Sequence, residues 1–129
     1  MFRKPLHLLA LLGAIACAPA ATQGTVSSIG HDYNRITADE ITASSAQNAY
    51  ELINKSRPQY LKTRGRTTVL LDTPDRASVF MDGTLFGTPD ALRNIPVSQI
   101  REVRFYPATE AGIKFGSQYG AGVIDIKSK

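Results

Sequence analysis

The chain has 129 residues, with 15 Lys and Arg against 11 Asp and Glu, two histidines and a single cysteine, Cys17. One cysteine excludes an internal disulfide, so the fold must rest on packing. With residues 1–16 set aside as a leader, 113 remain, carrying 13 basic and 11 acidic side chains; that is enough chain for one hydrophobic core, and an excess of +2 is no argument for nucleic acid.

Arg3 and Lys4 form a positive n-region, and Leu6 to Ile15 is apolar apart from His7. That run is too short to cross a bilayer and has the length of a signal h-region, so the expectation is a signal peptide over 1–16 and export from the cytoplasm. Two processing signals overlap. Ala14-Ile15-Ala16-Cys17 has the form of a lipobox, cut before a lipid-modified Cys17, whereas Ala18-Pro19-Ala20 is a small-x-small site for the ordinary peptidase. A lipidated Cys17 would make the protein a lipoprotein held to a membrane by acyl chains. Ala18, in place of the aspartate that retains some lipoproteins in the inner membrane, points to the outer membrane. Residues 17–34 are small and polar and read as a flexible tether. His31 and Asp32 stand at its end, and a histidine with no neighbouring ligands reads as a solvated linker residue, not a metal or catalytic group.

The folded part is expected over 35–129. Thr37 and Glu40 have capping-box spacing, with Ile36 and Ile41 placed for a hydrophobic staple, so a helix begins there. Ala46, Ala49, Tyr50 and Ile53 recur at helical spacing, and Arg57-Pro58 ends that amphipathic helix. Between residues 55 and 66 lie Lys55, Arg57, Lys62, Arg64 and Arg66 with no acidic residue and with Tyr60 among them. This segment is either a solvated loop or a face for anions or a partner protein, since clustered cations raise the local potential.

Residues 67–71 and 77–81 are strand candidates separated by the turn D-T-P-D-R. Asp82-Gly83 is a hairpin signal that should return Thr84 to Phe86 antiparallel to 79–81. Leu92 to Ile100 reads as two short helical turns around Pro96, leading into a strand over 101–106 with Val103 and Phe105 on one face and Glu102 and Arg104 on the other. A short helix is expected over 108–115, ended by Gly116, and a last strand over 123–127. If the strands on either side of that helix run parallel, they make a right-handed βαβ unit. The fold class is therefore mixed α/β of the α+β kind, a small mixed sheet with short helices.

The segments from Ile36 to Lys127 resemble, in order and spacing, the plug domain of TonB-dependent receptors. Ile36 to Ile41 is similar to the plug's isoleucine stretch and polar-polar-Glu-Ile helix start, and Asn48 to Pro58 to its following helix ending in Arg-Pro. Val79-Phe80-Met81-Asp82-Gly83 looks like its strand ending in Asp-Gly, and Ile95-Pro96-Val97 with Ile100 like its I-P-x-x-x-I segment. Phe115-Gly116-Ser117 and Gly120-Ala121-Gly122-Val123-Ile124-Asp125-Ile126-Lys127 resemble its aromatic-Gly-Ser and Gly-Gly-Val-Ile-x-Ile finish. The resemblance implies a plug fold. A 22-stranded barrel after such a plug needs roughly 200 residues in strands alone, so the expectation is a plug-like domain without its own barrel. The tether carries no TonB-box-like run of apolar β-formers.

Catalytic signatures are poor: there is no H-E-x-x-H and no G-x-S-x-G, Ser117 in Gly116 to Gly120 is misplaced for a nucleophile elbow, and Asp72, Asp75 and Asp82 sit at turns. The expected function is a non-enzymatic, cofactor-free binding or interaction module on the periplasmic face of the outer membrane, anchored through Cys17 and serving an envelope protein partner. The alternative is a soluble periplasmic domain that binds a ligand or anion through 55–66.

Overall fold

The computed structural model describes residues 32–64 and 74–129. The leader with Cys17, the tether as far as His31, the strand expected over 67–71, and Arg66 and Asp72 lie outside the described residues. Secondary structure opens with β1 (Arg35–Ile36) and α1 (Ala38–Ala43). The Thr37 hydroxyl accepts from the Glu40 backbone N–H, and Glu40 Oε2 accepts from the Thr37 N–H at 2.9 Å, which is the expected capping box. Ile36 and Ile41 are both buried in one core.

The second helix, α2 (Ala49–Ser56), starts later than the apolar spacing predicts. Asn48 caps it by accepting from the Glu51 N–H at 3.0 Å, which leaves Ala46 in the connection outside the helix. Its buried face is Ala49, Leu52 and Ile53, with Tyr50 at the margin. Pro58 ends it as expected and opens a 3₁₀ turn over Pro58–Leu61 that delivers Tyr60 to the core.

β2 (Ser78–Met81) and β3 (Thr84–Gly87) form the predicted antiparallel hairpin, with Asp82 and Gly83 both at positive φ (49° and 85°). That conformation matches the right-handed twist of the paired strands. Two 3₁₀ turns, Pro89–Asn94 and Val97–Gln99, lead into β4 (Ile100–Tyr106), as the spacing around Pro96 predicts. They are bound to the start of α2 by the Ala49 N–H to Ile95 carbonyl bond (2.8 Å) and the Val97 N–H to Gln47 carbonyl bond (3.1 Å). α3 (Ala108–Lys114) and β5 (Val123–Ser128) complete the chain order, with Gly116 at φ 120° just past the helix.

The five strands make one mixed sheet in the order β1-β4-β5-β2-β3, giving a mixed α+β fold. β5 pairs parallel with β2 and antiparallel with β4, so β4, α3 and β5 are not a βαβ unit. Length explains this. A parallel return has to carry the chain back along all seven residues of β4, about 23 Å, and a seven-residue helix spans only about 10 Å. α3 therefore covers one end of the sheet, and the chain turns back alongside β4.

Both faces of the sheet carry apolar packing. On one face, Val79, Val103, Phe105, Ile124 and Ile126 meet residues from α1, α2 and the 3₁₀ turns, including Leu52, Ile53, Tyr60 and Leu92. On the other, Phe80, Tyr106 and Val123 meet Ala111 of α3, with Phe115 and Tyr119 closing the edge. Tyr60 stacks on Phe105 with ring centroids 4.6 Å apart, and Tyr119 is edge-on to Phe80 at 5.2 Å. No helix among the described residues is long and apolar enough to cross a membrane.

Candidate functional site

The cations that the sequence places in one segment go to different surroundings. Arg57 follows the last residue of α2, where φ is −144° and the side chain folds inward; only 7% of the residue is exposed. Its Nη2 donates to Glu40 Oε1 at 2.9 Å and to the Arg35 carbonyl at 3.4 Å, and its Nη1 donates to the Ser56 carbonyl at 2.9 Å. Arg57 thus belongs to the packing between β1, α1 and α2 and is not the free surface cation expected from composition. A buried charge requires this kind of pairing, and the C-cap position leaves its guanidinium within reach of three acceptors.

One donor is left over: Arg57 Nε is buried and has no hydrogen-bond partner. Glu40 does not complete a two-bond fork with it, because Glu40 Oε2 accepts from the Thr37 N–H while Oε1 meets Nη2. An unmade buried donor costs about 1–3 kcal/mol.

Lys55 is exposed in the last turn of α2, with Nζ 3.5 Å from Ser45 Oγ. Lys62 and Arg64 are exposed beyond the 3₁₀ turn, where the Arg64 guanidinium stands 5.3 Å from the Phe105 ring centroid and its backbone N–H donates to the Asp75 carbonyl. Among the described residues of the segment, Lys55 and Arg57 come together at one concavity. This is a cleft of about 410 Å³ where α1 and α2 both end, lined by Glu40 and Ala43, by Ser44 and Ser45 of the connection, and by Lys55, Ser56 and Arg57. The three serines escape sequence reasoning, because nothing local says that the Ser44-Ser45 pair meets the far end of the next helix.

Beside the cleft, the Tyr60 hydroxyl donates to the Tyr33 carbonyl. Burial pushes the Tyr60 hydroxyl pKa up to about 12, partly offset by the Arg57 charge next to it. On the other face of the sheet Asp125 is 1% exposed; its Oδ2 meets Lys127 Nζ at 3.2 Å and its Oδ1 has no partner. Its alternation with Ile124 and Ile126 predicts the face it occupies but not its burial, which comes from β5 lying in the middle of the sheet.

Of the turn aspartates, Asp82 is tied to the last strand. Asp82 accepts from the Ser128 N–H (3.0 Å) and hydroxyl (2.6 Å), bonds that hold its carboxyl below the usual range. Asp75 lies with Arg76, Pro89 and Asp90 around a second cleft of about 370 Å³, crossed by the Arg76 to Asp90 pair at 3.6 Å. Ser117 sits in a turn closed by the Tyr119 N–H to Gly116 carbonyl bond. Asp32 caps the Asn34 N–H at 3.0 Å. Among the described residues, no three His, Cys, Asp or Glu side chains are grouped to hold a metal ion.

No family model, curated protein or solved structure matches this chain. The functional reading therefore stands on its own residues.

Proposed function

We propose that the chain is a non-enzymatic interaction module of the TonB-dependent receptor plug type, held at the periplasmic face of the outer membrane by a lipid on Cys17 and serving an envelope protein partner. The observation that supports it most is where the plug-like segments fall in the fold. The Thr37 to Glu40 box opens α1, Asp82-Gly83 turns β2 into β3, Ile95-Pro96 precedes β4, and Gly120 to Lys127 runs into the central strand β5. These four stretches thus include a cap, a turn and two strand entries, where local chemistry restricts the residue type.

The test is intact mass and membrane fractionation of the mature protein, from wild type and from Cys17→Ala, expressed in a Gram-negative host. An acylated mass with outer-membrane recovery that the variant loses is the expected result. An unmodified chain beginning near Ala21, free of the membrane, would overturn the anchored reading. The second reading, a soluble periplasmic binder of ligands or anions, is favoured by one observation: Lys55 and Arg57 meet at a single serine-lined cleft.

A further inference from the structure

We infer that β3 is the contact strand of a homodimer, in which the β3 strands of two copies pair antiparallel about a two-fold axis through Leu85. The inference goes beyond the proposed function and is independent both of the plug reading and of the fate of Cys17.

The two ends of the sheet are finished differently. β1, at one end, is two residues long and carries Arg35, whose guanidinium is held by Glu102 Oε2 of the neighbouring strand at 2.7 Å. Short, charged edges resist pairing with other chains. β3, at the other end, is Thr84-Leu85-Phe86-Gly87, with no charge and no proline, and among the described residues it pairs with β2 alone. Leu85 is 54% exposed and Phe86 44%. An uncharged edge with exposed apolar side chains is a template for another strand, because its outward N–H and C=O groups call for an extended backbone and not for a helix or a small molecule.

The register fixes where such a strand bonds. Met81 and Thr84 flank the two-residue turn and form the pair nearest to it, and in a hairpin of this kind that pair exchanges the hydrogen bonds. The next pair, Phe80 and Leu85, is then the non-bonded one, so the N–H and C=O of Leu85 point away from β2. Phe86 is the extra residue at the register shift before the pair of Val79 with Gly87. The usable edge is therefore short and centred on Leu85.

The side chains say why the added strand is a second copy. Directly opposed residues share a face, so Leu85 lies on the face of Phe80, at the margin of the smaller apolar layer formed with Tyr106, Ala111 and Val123. A two-fold axis normal to the sheet keeps that face on the same side in both copies. Leu85 then pairs with Leu85, and the row Phe80, Leu85, Leu85, Phe80 joins two small apolar layers into one. The same register sets Thr84 opposite Phe86 and the nearest charge, Asp82, opposite Thr88, so no like charges meet. The interface is isologous and closes at two copies. So short a contact falls below the roughly 800 Å² per partner of a stable complex, and a dissociation constant on the order of 100 μM is expected.

The test is sedimentation equilibrium of the mature Cys17→Ala protein, which cannot form thiol-linked dimers, from about 10 μM to about 1 mM, with ¹⁵N NMR of the same samples. A monomer to dimer equilibrium is expected, with the Leu85 amide shifting and gaining exchange protection in step with the dimer fraction. Leu85→Lys, at an exposed position, sets two ammonium groups side by side and should weaken association at least about tenfold. Ile113→Lys, which removes an 85% exposed apolar side chain from α3, should leave it unchanged. A Leu85 amide that does not respond, or equal weakening in the two variants, would overturn the inference. So would a protein still monomeric at about 1 mM, a result that would leave the β3 edge to a strand of a different protein. Since Cys17 is absent from the sample, none of these outcomes bears on acylation, and the two tests fail separately.

Discussion

Glu40 meets two demands with one carboxylate: Oε2 closes the capping box on Thr37, and Oε1 neutralises the buried Arg57. Removing it leaves the Thr37 N–H without its acceptor and a guanidinium charge without its partner. Glu40→Ala is expected to lower stability by about 3 kcal/mol in urea denaturation, and Glu40→Gln, which retains one acceptor oxygen, by about half as much. The cap was legible in the sequence because it depends on residues three apart. The ion pair was not, because Glu40 and Arg57 are 17 residues apart and meet only when α2 packs beside α1. Tyr60 gives a test through pH. Its hydroxyl has an ordinary value of 10.0 in the unfolded chain and about 12 in the fold, so the unfolded state loses its proton first. Stability from this group is complete below pH 10 and is lost as pH rises toward 12. The urea midpoint of the wild type should fall over that window by more than that of Tyr60→Phe, which keeps the ring stacked on Phe105 and cannot ionise. Equal losses in the two proteins would show that Tyr60 does not drive the change.

Elements whose signals are local follow the sequence closely: α1 from its box, the β2 to β3 hairpin from Asp82-Gly83, and the 3₁₀ turns around Pro96. The direction of β5 was not local. It depended on whether α3 was long enough to carry the chain back along β4, and the residues of α3 say nothing about that until its ends are fixed. The entry to β5 is tightly constrained. Gly122 has φ 97°, and a Cβ there would stand 2.9 Å from both Phe105 Cζ and the Tyr106 carbonyl oxygen. The carbonyl belongs to a strand in the middle of the sheet and cannot move aside. Gly122→Ala is expected to cost about 3 kcal/mol, combining strain at positive φ with the clash, and to lower the thermal midpoint accordingly. A change under about 0.5 kcal/mol would mean that the loop before β5 relaxes freely.

At the scale of the whole molecule, the sheet separates two apolar layers of unequal size, and Asp125 is buried on the side of the smaller one. Its single contact with the half-exposed Lys127, with Oδ1 unpartnered, is a weak return for removing a carboxylate from water. Asp125→Val is therefore expected to raise stability by about 1 kcal/mol, a gain of about 4–8 °C in thermal midpoint for a domain of this size. A loss of more than about 1 kcal/mol would show that the carboxylate is better satisfied than its contacts indicate. The cleft belongs to this scale as well: its cations were visible as a run along the chain, but their separation into one inward, one at the mouth and others elsewhere came from how α2 ends. The strand order has a further consequence, in time. β5 follows every other strand along the chain, yet it lies between β4 and β2, which do not pair with each other. A chain delivered N-terminus first, from a ribosome or through a translocation pore, has no keystone until residues 123–128 emerge. Before them only the β1 to β4 and β2 to β3 pairs can form, and the two halves of the sheet have no strand to join them.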